Sequence, residues 1–186
     1  MIDPLPVLCL LWVGFGAGFF FRPKGEKKEE VRKREPAAMA GVFLQGVGYA
    51  IAWWHTTWPV QRNMPEPVRW LGIAFAVAGV ALAWSAAHHL GKQWAIQAQL
   101  VEGHELITSG PYAYIRNPIY SAMLAMLLAA SLVIATPLRL VVALAFFLTG
   151  TFMRTRLEER LLRGQFGEAF EAYRKRAGWL WPRLAP

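Results

Sequence analysis

Five apolar runs separated by short polar segments dominate this sequence and restrict the folds open to it. They cover residues 5–21, 37–58, 68–87, 119–135 and 138–153. A helix needs roughly 20 mostly apolar residues to cross the hydrocarbon core of a bilayer, and about 17 to 25 are tolerated. The first three runs therefore predict transmembrane helices. The last two are shorter and are separated only by Thr136 and Pro137, which predicts a tight helical hairpin, with a re-entrant pair as the alternative. The predicted fold class is an all-α integral membrane protein with about five transmembrane helices in a single domain.

The composition supports this class and argues against soluble ones. Hydrophobic residues make up 55% of the 186 residues and charged residues 17%, and the mean hydropathy is +0.29. The net charge of +8 could indicate nucleic-acid binding, but the basic residues lie between the apolar runs, so we expect no nucleic-acid partner. Because Cys9 is the only cysteine, neither an internal disulfide nor a cysteine-based zinc site can form. His88 and His89 have no partners at metal-ligand spacing, so no metal is expected.

The basic residues are distributed unequally between the segments that flank the runs. With five spans, and with Arg69 and Arg139 at the beginnings of the third and fifth runs counted with the adjoining segments, one side of the membrane would carry 17 of the Lys and Arg residues and the other side 3. Because positively charged segments stay in the cytoplasm, residues 22–34, residues 92–116 and the C-terminal tail are predicted to lie there, with the N-terminus outside. No basic residue precedes the first run, so we expect it to stay in the mature chain. Any reactive site in these segments should then lie on the cytoplasmic side of the membrane.

A first cluster of polar recognition groups occupies residues 97–120, before the fourth run. Pro118 suits the first turn of a helix, where its missing N–H costs nothing. Arg116 and Asn117 would then lie at a helix N-terminus, where free N–H groups favour an anionic ligand such as a carboxylate or phosphate. The alternative is that Arg116 and Tyr120 are interfacial anchors of the kind common at helix ends.

A second cluster, residues 154–173, follows the fifth run. Arg154 and Glu158 are four residues apart, so they share one face if the last helix continues. They could form a surface ion pair that contributes little. They could instead form a site in which Glu158 holds a ligand ammonium and Arg154 holds a substrate carboxylate. The spacing leaves both interpretations open.

The two clusters, taken in the order in which they follow each other along the chain, resemble the isoprenylcysteine carboxyl methyltransferase family of integral membrane methyltransferases. The segment from His104 to Tyr120 is followed, after the hydrophobic pair, by Arg-x-x-x-Glu-Glu and then by Phe-Gly-x-x-aromatic-x-x-Tyr. The resemblance covers residues 97–173, while the first three runs match only as apolar helices. It implies an S-adenosylmethionine pocket on the cytoplasmic side, closed by the loop and the tail, in a multi-pass protein of a prokaryotic inner membrane. Residues 1–90 would supply three helices, and residues 91–186 would form the cofactor-binding region.

The resemblance also assigns roles to individual residues. Its cofactor contacts fall on Gln97, His104, Glu105, Leu106, Ile107, Tyr112, Asn117, Tyr120 and Glu158. Arg154 matches a substrate-side arginine and is the candidate catalytic residue. Asn117 stands where the family usually has a histidine, so histidine chemistry is lost at this position. Phe170 replaces a tyrosine that is common in the tail motif, which removes one hydroxyl.

The implied reaction is methyl transfer from S-adenosylmethionine to a lipophilic or isoprenylated substrate, with membrane lipids as the other partners. Such a displacement depends mainly on alignment and on the exclusion of water. A carboxylate acceptor is already ionised and needs no base, whereas an amine or thiol would have to be deprotonated, a role that suits His104. Two alternatives are an NADPH-dependent membrane reductase of the sterol or steroid type, whose C-terminal region looks similar, and a non-enzymatic membrane scaffold.

Overall fold

The described part of the chain is built from five helices. The computed structural model describes residues 3–20, 36–54, 63–91 and 106–183. The helices are α1 (Pro4–Phe20), α2 (Pro36–Trp53), α3 (Glu66–Leu90), α4 (Pro118–Ile134) and α5 (Pro137–Arg176), with a 3₁₀ turn at Gly110–Ala113. Within these ranges there is no strand, only one isolated bridge between Ile115 and Gly178. The all-α prediction is therefore confirmed, and each predicted run corresponds to one helix.

The largest difference between the predicted runs and the helices is in α5. α5 has 40 residues, so it continues well beyond the apolar run that ends at residue 153. Two helices, α3 and α5, are long and apolar enough to cross a membrane, and the other three are shorter apolar helices. The count of five spans stays a prediction.

The helices pack as two pairs. α4 packs mainly along α3, and α5 packs mainly along α2, while α1 lies against α3. Only Ala135 and Thr136 separate α4 from α5. The hydroxyl oxygen of Thr136 accepts a hydrogen bond from the Arg139 N–H at 3.3 Å, and Pro137 occupies the first helical position, so a new helix begins at once. A short turn therefore joins α4 to α5, but each of the two helices has its main contacts with a different neighbour, so the hairpin stays a prediction.

Glycines allow close approach within both pairs. In the α2–α5 pair, a Cβ added at Gly150 would lie 2.5 Å from the carbonyl oxygen of Gly41 and 3.0 Å from the backbone nitrogen of Gln45. In the α3–α4 pair, a Cβ at Gly72 would lie 3.0 Å from a backbone carbonyl oxygen of α4. Small residues at helix contacts are typical of helices packed in membranes, where backbones must approach to gain van der Waals contact.

Replacing Gly150 with alanine should therefore lower the thermal unfolding midpoint of the purified protein. The added methyl group meets backbone atoms of α2, which cannot move aside without separating the two helices. Overpacking of this kind costs about 1 to 3 kcal/mol. Gly46→Ala is the matched control, because no atom lies within 4 Å of its added Cβ, and its midpoint should stay level or rise. Equal midpoints in the two variants would contradict the close α2–α5 contact.

A buried arginine joins three helices at the far end of α4. Arg69 lies inside the third predicted run yet is only 2% exposed. Its Nη2 is 2.8 Å from the Asp3 carboxylate, which precedes α1, and its Nε donates to the carbonyl oxygen of Val133 at 3.2 Å. The last carbonyls of a helix have no partner within that helix, so Arg69 satisfies one of them. The charge of Arg69 therefore has a structural role. The apolar run that contains Arg69 did not indicate this role.

Candidate functional site

Three of the predicted site residues meet where α4 begins. The hydroxyl of Tyr120, in the first turn of α4, donates to Oε1 of Glu158 in α5 at 2.5 Å. The guanidinium of Arg154 lies 3.7 Å from the same oxygen, and its centre is 5.1 Å from the Tyr120 ring centroid. The two sequence clusters therefore converge in space, because α4 and α5 return the chain to its starting side.

The environment of Glu158 differs from that of a surface ion pair. The side chains of Arg154 and Glu158 are 12% and 26% exposed. Glu158 lies one turn beyond the apolar part of α5, and burial raises the pKa of its carboxyl even though the Tyr120 hydrogen bond and the Arg154 charge lower it. A carboxylate with this little water around it favours a positively charged partner.

Two residues that no sequence motif indicated extend the site towards α2. Gln45 is 3% exposed, and its Oε1 accepts from the Nη1 of Arg154 at 3.1 Å. Its Nε2 donates to the hydroxyl of Thr151, one turn earlier in α5, at 2.9 Å. The signal for Gln45 was present in the sequence, because it is the one amide in an otherwise apolar helix.

Arg116 is placed differently from the prediction. Its Nε donates to Glu159 at 2.9 Å, and its Nη1 donates to the carbonyl oxygens of Ala177 and Arg174 at 2.6 and 3.1 Å. Its own N–H donates to the carbonyl oxygen of Gly178 at 2.8 Å. The last carbonyls of α5 need donors, and Arg116 supplies them. The expected open anion site at the start of α4 is therefore wrong for Arg116, which holds the tail.

Asn117 and its neighbour Ser121 also contact the tail. The Asn117 amide donates to the carbonyl oxygen of Trp179 at 3.3 Å, and the Ser121 hydroxyl donates to that of Leu180 at 2.5 Å. The indole N–H of Trp179 in turn donates to the hydroxyl of Thr155 at 3.0 Å. The segment after α5 thus lies across the start of α4 and returns to the middle of α5.

A bend in α5 brings the rest of the tail onto the loop. Gly167 has φ +49°, a left-handed conformation that glycine adopts without a steric penalty, and the helix changes direction there. Beyond it, the hydroxyl of Tyr173 donates to the carbonyl oxygen of Tyr112 at 2.8 Å. Burial raises the pKa of both tyrosine hydroxyls above the ordinary value. Phe170 is fully buried in the same cluster, against which Leu106 packs.

The other predicted residues divide into two groups. Gln97, His104 and Glu105 lie outside the described residues. Ile107 is half-buried next to Leu106, and Tyr112 is near enough to Glu158 for that charge to contribute to its raised pKa. The roles proposed for these residues towards a cofactor stay predictions.

The imidazole of His89 packs against the turn that precedes Tyr112. A Cβ added at Gly110, which has φ +58°, would lie 2.3 Å from the His89 ring. His89 therefore serves as a packing surface for this turn.

Comparison with known proteins relates this chain to a protein family. Residues 67–169 match the model of the phospholipid methyltransferase family, which is more than half of the chain. The matched range begins at the start of α3 and ends just beyond the bend of α5, so it includes Tyr120, Arg154 and Glu158. No curated protein matches the sequence. The methyltransferase interpretation is confirmed at the level of this related family of membrane methyltransferases, while the isoprenylcysteine specificity stays a prediction. The chain belongs to the phospholipid methyltransferase family.

Proposed function

We propose that this protein transfers a methyl group from S-adenosylmethionine to a lipophilic, carboxylate-bearing acceptor such as an isoprenylated cysteine. The observation that carries the proposal is the contact of Tyr120, Glu158 and Arg154 within the range that matches the methyltransferase family. A carboxylate and a guanidinium lie side by side there, so a cationic and an anionic group can be bound within one site.

The donor set fits the proposed cofactor. S-adenosylmethionine carries an ammonium group on its methionyl end and supplies a methyl group attached to a positively charged sulfur. Glu158 offers the ammonium a partly buried carboxylate, already oriented by the Tyr120 hydroxyl. Further contacts are proposed, on the family resemblance, for Gln97, His104, Glu105, Leu106, Ile107, Tyr112 and Asn117.

Arg154 is proposed to orient the acceptor. A carboxylate is ionised at neutral pH, so its oxygen can attack the methyl carbon as the bond from sulfur to that carbon breaks, and no side chain has to remove a proton. The protein must align the two reactants, and alignment can lower the activation free energy by several kcal/mol. The planar, permanently charged guanidinium of Arg154 suits this task because it binds carboxylates in a fixed orientation.

A second acceptor class is favoured by the family match, whose description names phospholipids. An amine headgroup would have to lose a proton before attack, and it would be repelled by Arg154 unless Arg154 holds the neighbouring phosphate instead. Both classes are lipophilic and would arrive from the membrane. The 17-to-3 distribution of basic residues supports placing the site on the cytoplasmic face of a multi-pass protein.

Calorimetry and methyl-transfer assays on the detergent-purified protein test the proposal. We expect S-adenosylmethionine and its demethylated product to bind and NADPH not to bind. With a radiolabelled methyl group, a prenylated cysteine acceptor should give a base-labile ester, whereas phosphatidylethanolamine would give a base-stable methylamine. Only base-stable product would move the assignment to the second acceptor class. NADPH binding without a response to S-adenosylmethionine would indicate a reductase, and binding of neither ligand would favour the scaffold.

A further inference from the structure

We infer that Gln45 of α2 is a positioning residue that holds the guanidinium of Arg154 in the orientation needed to bind the acidic group of the acceptor. The inference rests on the proposed function, and it assigns a role to a helix that carries no recognised motif. Its basis is the chain of contacts from Thr151 through Gln45 to Arg154.

The chemistry of the three side chains fixes the orientation of the Gln45 amide. An arginine guanidinium only donates hydrogen bonds, so the amide oxygen must face Arg154. The amide nitrogen then has to donate, and the Thr151 hydroxyl is the acceptor it reaches at 2.9 Å. A buried amide is costly unless it is hydrogen-bonded, and here both of its ends are bonded to α5.

Close packing leaves the Arg154 side chain little freedom. A Cβ at Gly41, one turn before Gln45, would lie 2.5 Å from Cγ of Arg154, so the stem of the arginine runs across the bare backbone of α2. Its guanidinium is then bonded to Gln45 on one side and lies beside Tyr120 and Glu158 on the other. The position of the charge is thus determined by α2 and α4 together.

The Gln45 contact also bears on the separation of the two opposite charges. Arg154 is 3.7 Å from Glu158, which is longer than a direct hydrogen-bonded pair, while one of its nitrogens is engaged by Gln45. A neutral acceptor such as an amide oxygen anchors the guanidinium without neutralising it. Gln45 therefore holds the guanidinium through a contact that adds no opposing charge beside it.

A double-mutant cycle with Gln45→Leu and Arg154→Gln tests this role. Each single variant should lower kcat/KM for the acceptor by at least about tenfold, because a small misplacement of a group that binds the acceptor lowers the rate strongly. The double variant should be no worse than Arg154→Gln alone, since Gln45 acts through Arg154. Cofactor affinity in Gln45→Leu, measured by calorimetry, should stay within about threefold of wild type. Ser131→Ala removes a buried hydroxyl three turns along α4 from Tyr120 and should leave all of these values unchanged.

Additive losses in the cycle, or a parallel fall of cofactor affinity and thermal midpoint, would overturn the inference in favour of a purely structural Gln45. If Gln45→Leu does not fold, Thr151→Val carries the test, because it removes the other partner of the amide and leaves Arg154 intact. That variant should lose about threefold in acceptor kcat/KM while its cofactor affinity stays level, and full activity would contradict the positioning role. A wild-type protein that transfers no methyl group would instead reject the proposed function.

Discussion

Replacing Glu158 with glutamine should lower the affinity for S-adenosylmethionine by at least about tenfold while the protein stays folded. The substitution keeps the size of the side chain and an acceptor for the Tyr120 hydroxyl, but it removes the charge that we assign to the cofactor ammonium. A partly buried hydrogen bond between charged groups is worth about 1.5 to 3 kcal/mol, which corresponds to roughly ten- to a hundredfold in affinity. Calorimetry gives the affinity, and thermal unfolding reports the fold.

The matched control is Glu168→Gln, which removes an exposed carboxylate from the same helix and should leave the affinity unchanged.

The pH dependence of cofactor affinity offers a second measurement. Burial raises the pKa of Glu158, and only its ionised form attracts an ammonium, so wild-type affinity should fall as the pH is lowered through that pKa. Glu158→Gln should lack this decline. Wild-type affinity in Glu158→Gln would mean that Glu158 only forms an ion pair with Arg154.

Replacing Arg116 with glutamine should release the segment that follows α5. The variant loses charge-assisted bonds to the Glu159 carboxylate and to two carbonyl oxygens at the end of the helix. Because Arg116 is only 13% exposed, solvent screens these contacts little, and we expect a loss of about 2 kcal/mol, or roughly a thirtyfold increase in open tails. Limited trypsin digestion measures the opening as faster cleavage after the exposed residues 174–176.

Arg163→Gln is the control for this experiment. It breaks an ion pair with Glu171 whose side chains are 51% and 39% exposed, and exposed pairs contribute at most about 1 kcal/mol. Its cleavage rate should change little. If both variants are cut at the same rate as the wild type, the tail is held by other contacts, such as the Ser121 bond to Leu180.

The parts of the site that the sequence predicted are those that depend on local chain geometry. The family resemblance implied that Tyr120 and Glu158 meet in one pocket, and two apolar helices joined by a short turn are compatible with it because they return the chain to one side. The fold class followed from the same apolar runs. No such local rule indicates what a single charge or amide will contact.

The contacts of Arg116 and Gln45 are of this second kind. The partners of Arg116 are backbone carbonyls about 60 residues away, which carry no signature in the sequence. Those of Gln45 lie more than 100 residues away, in a helix that is not its neighbour in the chain. The sequence accordingly left an anion site and an interfacial anchor open for Arg116, neither of which named its partners, and Gln45 was overlooked.

The pairing of α2 with α5 also has a consequence for how the chain is made. The Thr151 hydroxyl is 106 residues from the Gln45 amide along the chain. At a synthesis rate of about 5 to 20 residues per second, α2 exists for roughly 5 to 20 s before its partner helix has left the ribosome. During that time, the Gln45 amide must be satisfied by water or by other groups. α3 and α4 can pair earlier, so the site becomes complete only once α5 has been made.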